Sequence, residues 1–314
     1  EFRRRRRLFN RHALRKEREQ PVLRLALCCV IHRGQFMSAI SKLPTTATPS
    51  PALPSGAVKL YPNGNWTDPT FNTILTAMSP AGLRQSIAHT ALQDAVSWVA
   101  FNLPVGQVMT LMENFTPLAP GASVGDLSNC GRCIDLVGTG QTESVDLSRV
   151  NMNDCMSGFF WRNVDLSQGA LELFDDANFG GNRNVIFLSE WPISATISIA
   201  NWWLNDRVTS LRWDTVPAGK VIVLGENADG SGRHYAAVAG GAAGQSEIAD
   251  MGSKQFNDAI TSFKWEPYQP PAIDFSTIGV TSNQISDAMR QAMGGSLPNM
   301  PPPPMGGGFF KWPL

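Results

Sequence analysis

Short runs of β-forming residues, separated by turns, dominate the middle of the chain. Ala57–Tyr61, Ala170–Phe174 and Lys220–Leu224 are rich in β-branched, aromatic and other apolar residues. Glycine, asparagine or aspartate follows each run, as at Gly180-Gly181. Short strands with turn residues at close spacing are typical of an antiparallel sandwich. The sequence therefore predicts an all-β fold, with at most one or two helical turns at 84–94.

A repeated segment shows how these strands are organised. Leu92-Gln-Asp-Ala-Val-Ser97 returns 112 residues later as Leu204-Asn-Asp-Arg-Val-Thr209. A Pro-x-Gly follows each copy, and a short alternating strand follows that. The core of the segment occurs twice more, at Asn153–Ser157 and Asn257–Ser262. Because a fixed period indicates repeated structural units, the sequence predicts two domains that are each a tandem pair.

The predicted boundaries follow from this repeat and from composition. We expect one domain at 57–163 and a second at 169–266. Residues 1–56 form a basic head followed by a leader rich in Pro, Ser and Thr, and 267–314 form a tail rich in Pro and Gly. Such compositions favour flexible extensions. Within the tail, 283–293 has the apolar spacing of a short helix.

Two motifs in the second domain resemble those of the βγ-crystallin superfamily, in its microbial, non-lens, calcium-binding type. Phe174, Phe179 and Gly181 have the spacing of its folded hairpin, in which two aromatic residues and a glycine stand at relative positions 0, 5 and 7. Asn205–Ser210 and Asn257–Ser262 match its calcium hexamer, N/D-N/D-x-x-S/T-S, at every fixed position. The resemblance implies two Greek-key β-sandwich domains in tandem.

The same resemblance implies calcium ions as ligands, held by paired hexamers in which each site draws on both. It implies that Asp206 and Asp258 each bind one ion, and that Thr209 and Thr261 each reach across to the partner site. Oxygen donors of this kind suit a hard cation, which takes six to eight oxygens. The metal-site residues implied in the second domain, including backbone carbonyls, are Asn205, Asp206, Arg207, Thr209, Asn257, Asp258, Ala259, Thr261, Asp175 and Gly225.

The first domain departs from the pattern, so we expect it to bind calcium more weakly or not at all. Gln93 replaces the first residue of one hexamer, and Trp98 and Gly158 replace the final serine of each. The hairpin keeps aromatic residues at Tyr61 and Trp66 but has Asp68 in place of glycine. The weaker candidate ligands are Asp94, Ser97, Asp154 and Ser157. In either domain these residues could instead serve only as turn formers, whose side chains bond to local backbone.

Charge separates the head from the rest of the chain. Residues 1–36 hold eleven Lys and Arg against three Asp and Glu, a net of +8, while the whole chain is neutral and the remainder therefore carries −8. An acidic body suits cations better than nucleic acid, so we expect no nucleic-acid partner. Val22–Ile31 has some features of a signal-peptide core, but Arg24 interrupts it. We interpret 1–36 as sequence upstream of an ordinary start at Met37.

The remaining motifs are weak. Cys130 and Cys133 have the spacing of half a zinc or redox site, but no second pair lies nearby, which favours a disulfide or free thiols. The sequence contains no apolar run of membrane-spanning length and no enzyme motif. The glycine-rich segment Gly225–Gly232 lacks the lysine of a phosphate loop and predicts a hairpin turn.

We therefore expect a non-enzymatic, calcium-binding structural or stress-type protein in which the ion stabilises the fold. Two alternatives stay open. One is a secreted protease inhibitor or toxin on the same fold, which a signal peptide or a disulfide-tied loop at Cys130 and Cys133 would favour. The other is a lens-like packing protein without calcium, against which the intact hexamers of the second domain argue.

Overall fold

The computed structural model describes residues 40, 43, 52–62, 72–239 and 246–268. All of them belong to one unit, Met37–Gln269. The basic head, most of the leader, the hairpin residues Trp66 and Asp68, and the tail with its predicted helix lie outside the described residues. Leu53 of the leader is buried, and its carbonyl accepts a hydrogen bond from Asn102 Nδ2 at 2.7 Å.

Sixteen short strands, joined by turns and six short 3-10 helices, make up the described residues. The strands are β1 (Ala57–Tyr61), β2 (Asn72–Leu75), β3 (Gln85–Ser86), β4 (Trp98–Asn102), β5 (Gln107–Met112), β6 (Cys133–Val137), β7 (Glu143–Asp146), β8 (Gly158–Asn163), β9 (Ala170–Phe174), β10 (Arg183–Phe187), β11 (Ile197–Ser198), β12 (Ser210–Arg212), β13 (Lys220–Gly225), β14 (His234–Val238), β15 (Glu247–Ile248) and β16 (Ser262–Pro267). The 3-10 helices are Thr76–Met78, Leu147–Val150, Leu166–Gln168, Ala177–Phe179, Leu188–Glu190 and Met251–Lys254. None of these helices is long and apolar enough to cross a membrane.

The strands form four antiparallel sheets, in the orders β2-β1-β4-β7, β3-β8-β5-β6, β10-β9-β12-β15 and β11-β16-β13-β14. In every run of four successive strands, the third strand leaves its own sheet. Thus β3 pairs with β8 and β7 with β4, while β11 pairs with β16 and β15 with β12. This exchange joins neighbouring Greek keys into sandwiches. The predicted all-β fold with two Greek-key β-sandwich domains is confirmed.

The predicted helical turns at 84–94 are wrong, because this segment contains strand β3 and non-helical turns. Its backbone is tied to the opposite Greek key. The Ile87 N–H donates to Ser157 O at 3.0 Å, and the Asp94 N–H donates to Met156 O at 3.1 Å. These long-range hydrogen bonds override the weak local preference for helix.

Apolar side chains from facing sheets fill the cores, as the alternation along the strands predicts. In the first half the core includes Leu60, Phe101 and Met109. In the second half it includes Leu224 and Phe263 and extends into residues of the first half. Trp161, Trp202, Trp213 and Trp265 are buried in these cores, whereas Trp203 is only partly buried.

A buried charged network joins the two halves. Arg162, on β8, lies 3.1 Å from Asp135 Oδ1, on β6, and its Nε lies 2.8 Å from Glu190 Oε1 in the second half, without hydrogen-bond geometry. Asp135 also accepts hydrogen bonds from Thr110 Oγ1 at 2.6 Å and from the Val185 N–H of β10 at 3.1 Å. Burial raises the pKa of Glu190, so the nearby guanidinium only partly offsets the cost of desolvation.

An insertion in the first domain also contacts the second half. It covers 113–132 between β5 and β6, whereas the equivalent connection between β13 and β14 covers 226–233. Asp126 Oδ1 accepts a hydrogen bond from Trp202 Nε1 at 3.0 Å. Ser123 Oγ donates to the Glu190 carbonyl at 2.9 Å. The insertion thus helps to hold the two halves together.

We predict that Arg162→Met destabilises the protein strongly. The substitution leaves the carboxylates of Asp135 and Glu190 buried without their cation, which costs about 3–5 kcal/mol of unfolding free energy. Urea denaturation of the full chain measures the effect. Arg233→Met is the matched control, because Arg233 forms an equally short but exposed ion pair with Glu226. Equal losses in the two variants would contradict a structural role for the buried network.

Candidate metal-binding loops and hairpins

Four loops precede β4, β8, β12 and β16, and each contains one aspartate with the same left-handed φ. Asp94, Asp154, Asp206 and Asp258 occupy equivalent positions in these loops, and each has φ of 51°. Aspartate adopts this left-handed conformation more readily than most residues, because its short side chain can bond locally. The departures from the hexamer pattern in the first domain therefore leave the φ of this aspartate unchanged.

The loops are paired across neighbouring Greek keys by reciprocal backbone hydrogen bonds. In the second half the Asp206 N–H donates to Ile260 O at 3.2 Å, and the Asp258 N–H donates to Val208 O at 3.3 Å. In the first half, Asp94 donates to Met156 O and Asp154 donates to Val96 O, both at 3.1 Å. The structure thus brings together the hexamers that the sequence pairs, in both halves of the molecule.

The first residue of each hexamer holds the carboxylate that follows it. In all four loops a side-chain amide donates to Oδ2 of the next aspartate, which fixes the orientation of the carboxylate. The pairs are Asn205–Asp206 at 2.8 Å, Asn257–Asp258 at 2.7 Å, Asn153–Asp154 at 2.6 Å and Gln93–Asp94 at 3.5 Å. Gln93, the departure from the pattern, makes the longest of these contacts.

The fifth residue of a hexamer reaches the aspartate of the partner loop. Thr261 Oγ1 lies 3.0 Å from Asp206 Oδ1. In the first half Ser97 Oγ lies 2.9 Å from Asp154 Oδ1, and Ser157 Oγ lies 3.2 Å from Asp94 Oδ1. Thr209 and Asp258, the fourth such pair, line one cavity together. Each of these hydroxyls therefore faces the loop that the resemblance implies.

The hairpin signature has a direct physical basis. The rings of Phe174 and Phe179 lie edge to face, 5.7 Å apart at 70°. Asp175 Oδ1 accepts a hydrogen bond from the Asn182 N–H at 2.5 Å. Gly181 has φ of 73°, and a Cβ there would overlap Asp175 Oδ1. Glycine is required at this position both for its backbone conformation and for the close approach of the carboxylate.

The final serine of the hexamer has a role that the sequence reading missed. Ser210 Oγ donates to the carbonyl of Asp176 at 2.6 Å, and Ser262 Oγ donates to the carbonyl of Asn227 at 2.7 Å. Each serine therefore ties its loop to a folded hairpin. The only indication in the sequence is that serine ends both intact hexamers. Trp98 and Gly158, in the first half, have no hydroxyl to make this contact.

Asp175 and Gly225, which the resemblance implies as carbonyl ligands, occupy different positions in their hairpins. Gly225 lies opposite Ser262 as Phe174 lies opposite Ser210. Gly225 O accepts the Thr261 N–H at 3.0 Å, just as Phe174 O accepts the Thr209 N–H at 2.9 Å. Asp175 and Gly225 are therefore not equivalent. The counterpart of Gly225 is Phe174, and the counterpart of Asp175 is the next residue along, Glu226.

Acidic side chains surround the cavity between the hexamers of the second half. The cavity has a volume of about 550 Å³. The guanidinium of Arg207 lies 4.7 Å from the ring of Trp203. Burial raises the pKa of Asp175 to about 6, and the neighbouring charge of Asp176 adds to the shift. The residues that line the cavity are Asp175, Asp176, Trp203, Asn205, Asp206, Arg207, Thr209 and Asp258.

The donors available to a metal here are oxygens. Among the described residues, no group of three or more His, Cys, Asp or Glu side chains could hold a metal ion by itself. Carboxylates stand singly in their loops, beside hydroxyls and backbone carbonyls. Asn205 Oδ1 is a further acceptor, buried and without a hydrogen-bond partner. Ala259 is buried in its loop. Such a set suits a hard cation that also keeps water, and not zinc.

Cys130, Cys133 and Cys155 are free thiols, and the first two are buried. Cys130 Sγ accepts a hydrogen bond from Arg84 Nη1 at 3.3 Å. A hydrogen bond with Cys133 lowers the pKa of the Cys130 thiol, whereas burial raises the pKa of Cys133. The sequence leaves both a disulfide and free thiols open for Cys130 and Cys133, and in the structure both are free thiols. The disulfide-tied loop that would favour an inhibitor or toxin is not formed by these cysteines.

Comparison with known proteins gives matches among solved structures. No protein-family model and no curated protein matches the chain. A βγ-crystallin domain from Clostridium beijerinckii is 24% identical with a TM-score of 0.23, and the match covers 31% of this chain and 97% of that domain. An archaeal βγ-crystallin is 21% identical with a TM-score of 0.23, over 31% of this chain and 95% of that one. A structure bearing on the evolution of the eye lens βγ-crystallin domain fold is 18% identical with a TM-score of 0.25, over 33% and 90%. At these identities the similarity concerns the fold alone.

We predict that Gly181→Ala lowers the free energy of unfolding by at least about 2 kcal/mol, because alanine adds both backbone strain and a clash with Asp175. Gly180→Ala is the matched control. Its φ is negative, and its nearest neighbours would lie 3.4 Å from the new Cβ. We expect that variant to stay within about 0.5 kcal/mol of the native protein. Similar losses in both variants, measured by urea denaturation, would rule out the specific role assigned to Gly181.

We also predict a pH dependence from Asp175 in calcium-free buffer. Its pKa is about 6 in the folded protein and about 3.9 in the unfolded chain. Between these values the folded state holds a proton that the unfolded state has released, so this group makes stability fall as the pH rises through that window. Asp175→Asn removes this contribution. Urea denaturation across the window should give a less negative slope for the variant, and identical slopes would contradict the assigned pKa.

Proposed function

Because the chain has the Greek-key fold of the βγ-crystallin superfamily, we propose that it is a calcium-binding structural or stress-type protein whose folded state the ion stabilises. The observation that carries the proposal is the contact between Thr261 and Asp206. Their Oγ1 and Oδ1 atoms lie 3.0 Å apart although they come from different loops. Two oxygens at this separation fit side by side around calcium, whose bonds to oxygen are about 2.3–2.6 Å.

The proposed ligands follow the two-fold pattern of the loops. One ion takes the carboxylate of Asp206 and the hydroxyl of Thr261, and the other takes Asp258 and Thr209. Carbonyls supply further oxygens, from Arg207 and Ala259 in the loops and, by the register of the hairpins, from the equivalent residues Asp175 and Glu226. Asn205 and Asn257 contribute indirectly, because each orients the carboxylate of the aspartate that follows it. One carboxylate for each ion gives a modest affinity.

The cavity charge supports the binding of a cation. Asp175, Asp176, Asp206 and Asp258 contribute carboxylates, against the single guanidinium of Arg207. A nearby divalent ion would favour the ionised form of Asp175, whose charge burial opposes. Calcium would thus relieve an electrostatic cost that the folded protein bears without it.

The first domain offers a second, weaker pair of sites at Asp94, Ser97, Asp154 and Ser157. Its loop aspartates have the same φ as those of the second domain. The proposed weakness lies in the hairpins, because Trp98 and Gly158 lack the hydroxyl with which Ser210 holds a carbonyl at 2.6 Å, and Ser97 holds the Pro62 carbonyl at the longer distance of 3.3 Å. Hairpin carbonyls that are held less firmly lose more entropy when they bind an ion.

We predict that calcium raises the unfolding temperature of the full chain and that EDTA reverses the change. A ligand in hundredfold excess over its Kd adds about 2.7 kcal/mol to the folded state. Asp206→Asn and Thr261→Val should each reduce the calcium-dependent part of the shift. Asparagine keeps the left-handed turn without the charge, and valine keeps the shape of threonine without the hydroxyl. Thermal melts in calcium and in EDTA measure the difference.

Thr261→Ser is the matched control, because it keeps the hydroxyl and loses only a methyl group. It should retain the native response to calcium. A protein whose melting is the same in calcium and EDTA would refute the proposal and leave a packing protein without calcium. Variants that lose the same stability in both buffers would show that Asp206 and Thr261 only shape the turns.

A further inference from the structure

The second hairpin of the second half, between β13 and β14, has the same backbone plan as the first, between β9 and β10. The Asp175 N–H donates to Asn182 O at 3.3 Å, and the Glu226 N–H donates to Arg233 O at 3.0 Å. Gly232 has φ of 82° and stands where Gly181 stands in the first hairpin. Residues of the two hairpins can therefore be compared position by position.

In the first hairpin, large side chains cover the outer face of the sheet. The ring of Phe179 lies between that of Phe174 and the guanidinium of Arg212, whose centre is 3.9 Å from the ring centroid. Arg212 Nε also lies 2.9 Å from Glu247 Oε2. A cation, two aromatic rings and a carboxylate thus form one packed group.

In the second hairpin the cation remains while the other three groups are replaced by small residues. Gly225 and Gly230 stand in place of the two phenylalanines, and Lys264 stands in place of Arg212. In the first hairpin, Glu247 lies opposite Arg212. Ile197 of β11 pairs with Phe263 of β16, so the next pair in the same register is Thr196 with Lys264. Both rings and the carboxylate partner are therefore absent around Lys264.

These replacements leave a cavity of about 310 Å³ beside a cation. Within the described part of the chain, Lys264 pairs with Glu266 of its own strand at 3.4 Å, and its side chain is 36% exposed. Val223 supplies an apolar, partly exposed side chain to this face of the sheet. The residues that line the cavity are Thr196, Val223, Gly225, Gly230, His234, Ser262, Phe263 and Lys264.

We propose that this cavity binds a small molecule that carries an aromatic ring and a carboxylate. The ring would lie in the cavity in contact with Val223, beside Thr196, which packs against Gly230 where the first hairpin has Phe179. The carboxylate would face Lys264, as Glu247 faces Arg212. A cation beside an aromatic face and a charge-assisted contact to a carboxylate both favour this chemistry. This site does not use the proposed calcium-binding side chains of Asp206 and Asp258, although its lining residues Gly225 and Ser262 adjoin the proposed ligands Glu226 and Thr261.

Phenylacetate is the probe, titrated into the full chain and followed by the amide resonances of Gly230, Phe263 and Lys264 in two-dimensional NMR. We expect saturable shifts at these residues, with acetate and phenylacetamide binding at least about tenfold more weakly because each lacks one of the two recognised groups. No saturable shift with phenylacetate would overturn the proposal, as would equal binding of all three compounds.

Two variants test the residues. Thr196→Glu restores the internal carboxylate at an exposed position, and Lys264→Gln removes the cation, so each should weaken phenylacetate binding about tenfold. Arg212→Gln is the matched control at the equivalent position of the first hairpin and should leave binding unchanged. Loss of binding in Arg212→Gln, or native affinity in both other variants, would overturn the assignment.

Discussion

The pairing of hexamer loops across neighbouring Greek keys is the constraint on which the rest of the structure depends. Each paired loop donates a backbone N–H to its partner, as between Asp206 and Ile260. The exchange of β11 and β15 between sheets keeps the loops in register. Without that exchange, a hydroxyl and a carboxylate from distant parts of the chain would not meet, and the acidic cavity between the loops would not form.

The same plan is used four times, and its variations show which parts are structural. The left-handed aspartate is present in every loop, including those whose neighbours depart from the hexamer pattern. The left-handed conformation of this aspartate therefore belongs to the turn itself and does not depend on a bound ion. The final serine that ties a loop to its hairpin at Ser210 and Ser262 is replaced by Trp98 and Gly158 in the first half, where Ser97 Oγ donates to the Pro62 carbonyl at 3.3 Å. Differences in function between the halves are expected to arise from the hairpins and not from the loops.

The two halves are joined by more than a linker. Arg162 connects Asp135 to Glu190 across the interface, and the insertion at 113–132 bonds to Trp202 and to the Glu190 carbonyl. A buried charge network is sensitive to the loss of any one member, because the remaining charges stay desolvated. The first half covers part of the sheet at β9 and β10, where Asp135 accepts a hydrogen bond from the Val185 N–H. The equivalent face at β13 carries Val223 and Lys264 beside an open cavity.

The sequence by itself determined the β class, the fourfold repeat, the hairpin signature and the hexamers, because these depend on short segments. The amide of Asn205 holds the next residue, and the glycine at 181 serves its own hairpin. Only the tertiary structure decided which groups meet across long separations. Thr261 and Asp206 are 55 positions apart, Gln85 and Ser86 form a strand by pairing with Phe159 and Gly158 of β8, and the register of β13 makes Gly225 the counterpart of Phe174. Such contacts depend on strand exchange and register, which no local pattern encodes.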